Sequence, residues 1–589
     1  RSGRNCWDNA RFSPVFRTPE SALAVLVPVV LILLVIAVAL GSQIFERFSY
    51  SKNQADLNEY FKLSQADEVA MVVQDTLVEE KALLRGGVVY FALSTVETYF
   101  TDRFYVNSME QVLLFTTDTD VIRIHIGDDS NVMYVSDAGQ ELDYQAAFYE
   151  GDTLYIAADY VKRYANFDYL VYDEPLHMQI YTTWGSYTEA EIARKTALRY
   201  QGGIKSDILV QLSAGDAVTV LEQMEKWSKV KTQDAYIGYV ENKFLKGEKQ
   251  AERTCDTGFQ EIVYHNVQKE GRINLTFHQV FEEVGGEKLA NALDTARGVN
   301  VVSPTWFRLN NNSGDFGSLA NASYVAKAHE LGIEVWALVT DVDSMDQFGV
   351  EIDFVELLSS SANRRHLIEG LMAQVDSFGL DGINIDFEKV RSDSGIHFVQ
   401  FLRELSIETR KRGVVLSVDN YVPSDYTAHY NRKEQGIVVD YVIIMAYDEH
   451  YVGGGAAGSN ASIKFVEDGI ANTKEVVPAE KIINAIPFYT RVWESGPNGL
   501  KASTLTMNAQ ADWIARNGVT PVWVDESCQN YAEYQKDDTL YQCWLEDAES
   551  IRVKLQVMQS QGIKGVASWK LGLETPAVWD VIAEYMGQA

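Results

Sequence analysis

The 589-residue chain is poor in cysteine and in positive charge, and it has a single long apolar run. Four Cys in this length exclude a small scaffold stapled by disulfides. They leave one local option, a bridge between Cys528 and Cys543, against the alternative of two free thiols. No group of Cys, His, Asp and Glu has zinc-type spacing, and His125 and His177 are too isolated to argue for a metal. No metal or other cofactor is therefore expected. Lys and Arg number 51 against 83 Asp and Glu, for a net charge of -32 and a pI of about 4.7. So acidic a body will not seek nucleic acid. It also repels anionic membranes and anionic wall polymers, so any wall contact needs local binding sites. What is present, 46% hydrophobic and 23% charged residues, is the composition of folded globular protein. The length has room for roughly three to five domains.

The one apolar run extends from Ala22 to Leu40, and no charge falls between Glu20 and Glu46. Arg1, Arg4, Arg11 and Arg17 precede it. Its length fits a bilayer-crossing helix, and the arginines place the N-terminus in the cytoplasm. Residues 1–21 are then expected to form a cytoplasmic tail, 22–45 a single-pass membrane anchor and 46–66 a stalk, with the remainder extracellular. A cleaved signal peptide is the rival, because Ala37-Val38-Ala39 is a plausible small-residue cleavage site.

Between 67 and 185 the chain echoes itself at a spacing of about 65 residues. Gly86-Gly87-Val88-Val89-Tyr90 is answered by Glu150-Gly151-Asp152-Thr153-Leu154-Tyr155, and Leu114-Phe115-Thr116-Thr117 by Ile180-Tyr181-Thr182-Thr183. Each unit reads strand, turn, strand, helix, strand, and resembles the small module named after the N-terminal domain of copper amine oxidases, with no copper implied. Spacer and wall-binding roles stay open for it. From 196 to 246 come short alternating strands at turn-rich spacing: Ile208 to Leu212, Val218 to Leu221, Trp227 to Val230 and Tyr236 to Val240. These indicate an independent small β-barrel. The Trp227-Ser228-Lys229-Val230 and Gly238-Tyr239-Val240 elements resemble the bacterial Src-homology-3-like domain. Trp227 and Tyr239 are either its core or a binding surface for cell-wall peptide.

From 268 to 589 buried strand candidates alternate with helical stretches. They are Ile273 to Val280, Val299 to Phe307, Ile333 to Thr340, Gly379 to Glu388, Val414 to Asn420, Tyr441 to Tyr447, Lys481 to Tyr489 and Gly565 to Lys570. Strand–helix alternation indicates parallel pairing, and eight units predict an α/β fold of the (β/α)8 TIM-barrel class. A doubly wound sheet is the rival, but a Gly-rich phosphate loop is missing after the first strand. About 60 residues separate strands seven and eight, which predicts an inserted subdomain beside the mouth. Catalytic groups of such barrels lie at the C-terminal strand ends. Trp306, Asp341, Glu388, Asn420, Met445, Tyr447, Asp448, Tyr489 and Trp569 fall there and are candidates for a carbohydrate groove.

The most informative stretch is Asp381-Gly382-Ile383-Asn384-Ile385-Asp386-Phe387-Glu388. Side chains alternate along a strand, so Asn384, Asp386 and Glu388 share one face. Polar groups on an inner face are costly unless paired or used. Two acids so placed raise each other's cost of ionising, and one can stay protonated near neutral pH. The bland alternative is a buried strand whose acids cap a helix or pair with Lys389 and Arg391. The stretch resembles the signature of glycoside hydrolase family 18, the chitinase-like hydrolases. Asn384 replaces the family's middle Asp, as in the bacterial branch of spore-cortex and cell-wall N-acetylglucosaminidases. Met445-Ala446-Tyr447-Asp448 and Ala567-Ser568-Trp569 resemble that family's sixth- and eighth-strand elements.

The resemblance implies substrate-assisted hydrolysis of β-1,4 bonds in an N-acetylglucosamine polymer, peptidoglycan before chitin. Glu388 is then the acid–base, Asp386 the residue that orients the 2-acetamido group, Tyr447 its hydrogen-bond partner and Trp569 the floor under the sugar. Asp381 and Asn384 join the substrate-binding candidates. A catalytically silent lectin or wall anchor on the same fold is the alternative.

Overall fold

The computed structural model describes residues 19–128 and 130–587, except for the side chains of 19–26 and 39–45. Its largest element is a closed barrel of eight parallel strands: β1 (Ile273–His278), β2 (Val301–Pro304), β3 (Glu334–Thr340), β4 (Gly382–Asp386), β5 (Val415–Tyr421), β6 (Tyr441–Met445), β7 (Ile482–Pro487) and β8 (Gly565–Trp569). Closure is by pairing of β1 with β8, Ile273 opposite Gly565. Each strand coincides with one of the eight apolar runs of the sequence. Period-two alternation sorts their side chains into two layers. Leu275, Phe277, Trp336, Leu338, Val415, Ile443 and Ala567 fill the interior. Val302, Val339, Ile383, Ile385, Leu416, Val418 and Ile444 pack outward against the helices.

The helix Ser361–Phe378 shows how the sequence delivers β4. Ser360 caps its start by accepting from the Asn363 N–H, and Leu367, Ile368, Leu371, Met372 and Val375 give it one buried face. Gly379 stops it in the left-handed conformation at φ 66°. An L-residue there costs about 1 kcal/mol, which is why glycine suits the stop. Three residues later, at Gly382, the chain enters β4.

The insertion expected between the seventh and eighth strands is a five-stranded antiparallel sheet (Tyr489–Gly496, Gly499–Thr506, Val522–Val524, Gln529–Lys536, Thr539–Leu545) with the helix Gln510–Asn517. Val492, Leu505, Trp513, Ala532, Cys543 and Leu545 form its own core. Its last strand leads into a buried ion pair, Glu546 with Lys554 at 3.0 Å. Cys528 and Cys543 are both free thiols, so the local bridge is not made.

The remainder differs from the sequence reading in three respects. The described residues form two compact units, those up to 102 with 150–259 and those of 103–149 with 260–587. The stretch 67–185 is therefore not one module. Strands Glu68–Val73, Thr76–Arg85, Val88–Ala92, Ala147–Glu150, Thr153–Ala157, Asp168–Tyr172 and His177–Tyr181 make a seven-stranded sheet, in which the echoing segments Val88–Ala92 and Thr153–Ala157 pair antiparallel. Val112–Thr116, expected to be the equivalent of His177–Tyr181, belongs instead to a five-stranded meander, Tyr105 to Glu141, in the barrel's unit. Arg103, just before it, pairs with Glu434 at 2.9 Å, and Tyr105 bonds His397 Nδ1 at 2.7 Å.

The β-module at 196–246 is likewise not self-contained. Its sheet continues into Gly185–Ile192 and Leu245–Arg253, and its core of Leu198, Leu209, Val230 and Val240 closes over Phe61 and Ala70. Trp227 and Tyr239 lie half-exposed over Gly202, so they are surface rather than core.

The third difference concerns the N-terminal run. It is helical within Pro19–Phe48. Among the described residues, however, no helix is long and apolar enough to cross a membrane. The arginines expected to orient the run lie outside the described residues.

Candidate active site

β4 presents Gly382, Asn384 and Asp386 to the barrel interior, because Ile383 and Ile385 are taken up by the outer layer. Glu388 follows just past the strand end. Its position is fixed twice. The backbone N–H of Glu388 donates to Asp341 Oδ1 at 2.8 Å, from the end of β3. The Tyr421 hydroxyl, from the end of β5, donates to Glu388 Oε2 at 2.6 Å. Tyr430 adds a bond to the Phe387 carbonyl at 3.0 Å. Asp386 lies deeper, 6% exposed. On β5 the inward residues are Ser417, Asp419 and Tyr421. Asn384 ties the two strands together, accepting from the Ser417 hydroxyl and donating to Asp419 Oδ2, both at 2.7 Å.

Four carboxyls thus gather at one end of β3, β4 and β5. Burial is the largest influence on each and favours the neutral acid. It pushes Asp341 up to about 6, against the Glu388 N–H that favours its anion. It raises Asp386 well above the usual carboxylate range, with Glu388, Asp419 and Asp341 adding like-charge repulsion. Glu388 is raised by burial and by Asp448, and held back by the Tyr421 hydrogen bond. Asp419 is raised by burial, with the Asn384 amide opposing. One oxygen each of Asp341, Asp386 and Asp419 is buried without a hydrogen-bond partner. Such a cluster is electrostatically strained when ionised and poised to receive a positively charged partner or to donate protons.

The facing wall is aromatic. Tyr447 and Trp569 pack onto the inner core, and Trp569 sits 5.4 Å from Phe277 between ring centres. Burial raises the Tyr447 hydroxyl well above its usual range. Met445 ends β6 on the inward side, as the placement of Tyr441 and Ile443 in the inner core requires. Asp448 accepts from the Tyr489 hydroxyl at 2.8 Å and from Arg491 at 2.6 Å, which binds the insertion's first strand to the loop after β6.

Three sequence candidates are elsewhere. Asp381 stands at the opposite, N-terminal end of β4, where its Oδ2 accepts from the Val335 N–H at 2.9 Å and meets His329 Nε2 at 2.8 Å. Trp306 lies beyond β2 and is wholly buried in the outer layer, edge-on to Tyr324 at 5.0 Å. Asn420 points outward and bonds Gln435 on the helix Arg432–Val438 at 2.7 Å. Its neighbours Asp419 and Tyr421 take the inward places, and the sequence reading missed both. The alternation of Leu416 and Val418 was the signal that could have found them.

Two family models match the chain: "Glycosyl hydrolases family 18" over residues 310–574 and "Bacterial SH3 domain" over residues 195–246. Among curated proteins, the cortical fragment-lytic enzyme of Bacillus anthracis is 24% identical over 259 residues, 42% of this chain and 59% of that protein. The protein of the same name from Bacillus subtilis (strain 168) is 26% identical over 244 residues, 39% and 55% of the two chains. The chain thus spans a little over half the length of these relatives. Among solved structures, the Bacillus cereus spore cortex-lytic enzyme SleL is 21% identical, with a TM-score of 0.47 over 54% of this chain and 75% of that one.

Proposed function

From the premise that the barrel is a family 18 glycosyl hydrolase domain preceded by a bacterial SH3 domain, we propose that it cleaves β-1,4 bonds of an N-acetylglucosamine polymer by substrate-assisted catalysis. The observation that carries the mechanism is the one-sided arrangement of the acids. A retaining glycosidase with its own nucleophile needs a second carboxylate across the sugar, about 5–5.5 Å from the acid. Here Asp341, Asp386, Glu388 and Asp419 all stand on or just past β3, β4 and β5, while β7, β8 and β1 turn Ile483, Ala485, Ala567, Trp569, Leu275 and Phe277 inward, and the one carboxyl near Glu388 from β6, Asp448, is engaged by Tyr489 and Arg491. The substrate's own 2-acetamido oxygen is then the nucleophile, as family 18 chemistry allows.

Glu388, whose neutral form burial favours, gives its proton to the glycosidic oxygen as the bond to the anomeric carbon breaks. Asp386 faces the resulting oxazolinium, whose positive charge relieves the crowded carboxyls. Glu388, now an anion held by Tyr421, removes a proton from the water that opens the ring. Tyr447 bonds the acetamido group and Trp569 supports the sugar face. Peptidoglycan is the preferred polymer, supported by the SH3-type module and by the names of the curated relatives, and this reading places the barrel outside the cell.

Purified peptidoglycan and chitin digested side by side test it, with the new reducing ends identified by mass spectrometry. N-acetylglucosamine at the new ends, blocked by a thiazoline mimic of the oxazoline, is expected. Hydrolysis that ignores the thiazoline overturns the mechanism. Glycan binding with no new reducing ends makes the barrel a lectin.

A further inference from the structure

Asn384 occupies the position of an acid in the family's signature, so Asp386 has no second carboxyl on its own strand at that side. The neighbouring strand supplies one. Parallel register sets Asn384 opposite Ser417 and Ile385 opposite Val418, which puts Asp419 beside Asp386. Both face inward, since Ile385 and Val418 are in the outer layer. Adjacent strands lie about 4.8 Å apart, within reach of a side-chain torsion for two carboxyls. The Asn384 amide has a fixed orientation, with its oxygen bonded to Ser417 and its nitrogen to Asp419 Oδ2. What remains is one orphan oxygen on each acid, Asp419 Oδ1 and Asp386 Oδ1, both buried. Two orphan acceptors in a dry site are costly, and one proton held between them removes a charge and supplies the missing donor.

We propose that Asp419 is a positioning residue that shares one proton with Asp386 and keeps it when Asp386 turns to the cationic intermediate. In that step the Asp386 O–H bond breaks and an O–H bond forms at Asp419 Oδ1. The pair's single negative charge moves onto Asp386, and no other reactant is consumed. The acid lost from β4 has in effect been relocated to β5. The inference rests on the substrate-assisted reading above. The groups facing the pair are Thr340 and Asp341 from β3, Asn384 and Glu388 from β4, Tyr421 from β5 and Tyr447 after β6, with Tyr430 behind them. None is a cation, so a shared proton is the means of lowering the charge.

Two measurements test this on the full chain. The first is independent of hydrolysis. At neutral pH, Asp386→Asn and Asp419→Asn should each alter the same infrared carboxylic-acid band. A band that answers to one substitution and not the other overturns the sharing. The second is the pH profile of kcat. Asp419→Asn removes the partner whose shared proton favours the singly charged pair, so Asp386 takes up a proton more readily and the acid limb should move about one unit to higher pH. Asn384→Asp in that background restores an acid beside Asp386 and should return the limb. An unmoved limb, or a rate loss that Asn384→Asp leaves as it is, overturns the proposal. Should Asp419→Asn not fold, Asn384→Asp alone adds a third acid and should lift the limb, and an unmoved limb again overturns it. If the wild type makes no reducing ends, the hydrolase reading fails while the infrared band still decides the sharing.

Discussion

Strand β4 carries a carboxyl at each end, and the two ends treat it in opposite ways. At the N-terminal end, Asp381 receives the Val335 N–H and His329 on one oxygen and keeps access to solvent. At the C-terminal end, Asp386 is buried with an orphan oxygen among three other acids. Five residues apart on one strand, one carboxyl is satisfied and the other is kept in want of a partner. A satisfied carboxyl holds β4 to β3. An unsatisfied one stores electrostatic energy that a cationic intermediate can release. Conserving stability and doing chemistry thus call for contrary surroundings, and the barrel separates them along its axis.

The largest effect should come from the chemical end. Glu388→Gln keeps the shape and can still accept from Tyr421, but has no proton to give. General acid catalysis contributes about 10²–10⁴-fold, so turnover on polymer should fall by at least that, with binding in pull-down assays largely kept. Near-normal turnover would mean that the acid is not at this end of β4 at all.

A smaller loss tests the grip of β5 on Glu388. The Tyr421 hydrogen bond favours the Glu388 anion. Tyr421→Phe removes it, so the Glu388 pKa rises and the basic limb of kcat/KM should shift to higher pH. The anion that later activates water also loses its anchor, and kcat should drop about tenfold. A limb that moves to lower pH would contradict the assignment of donor and acceptor.

How much of this contrast was readable beforehand depends on distance along the chain. The eight strands were legible because strands buried on both faces are nearly continuous apolar runs, as in Tyr441 to Met445. The acids of β4 were legible because they sit at fixed positions in one octapeptide. Asn420 was misplaced and Asp419 and Tyr421 overlooked by a single step of alternation, which the end of a strand does not announce. Trp306 was misread because the strand ends at Pro304, short of it, and a Trp serves a core as well as a groove. Tyr105 to Glu141 has the local pattern of its neighbours. Its place with the barrel depends on partners 250 to 330 residues away, such as Ser359 for Asn107 and Glu434 for Arg103. No local period encodes those. Phe61 completes the core of a β-module that begins far downstream, and it was read as stalk for the same reason.

Asp341 offers a test in stability rather than rate. Its folded pKa of about 6 lies above the ordinary value of 3.8. The stability it contributes is therefore fully present below about pH 4 and is lost as pH rises through about 6. Asp341→Asn cannot ionise, and its amide oxygen can still accept from the Glu388 N–H. The variant should gain up to about 2–3 kcal/mol at pH 7.5 and little at pH 4 by denaturant titration, while hydrolysis falls. A gain of equal size at both pH values would place its origin outside the titration.

The smallest effect should come from the other end of β4, and it is the sharpest test of the comparison. Asp381→Asn keeps an oxygen for the Val335 N–H but turns an uncharged group toward His329. The loss is one charge-assisted bond that is partly solvated, about 1 kcal/mol or less, or about 2 °C in Tm for a domain of this size. Turnover and its pH profile should stay within twofold of the wild type. The residue belongs to the same signature octapeptide as Asp386 and Glu388, so a reading by motif membership alone gives it a share in catalysis. The geometry gives it a share in joining β4 to β3. A rate loss near that of Glu388→Gln with Tm unchanged would show that the two ends of the strand act as one site.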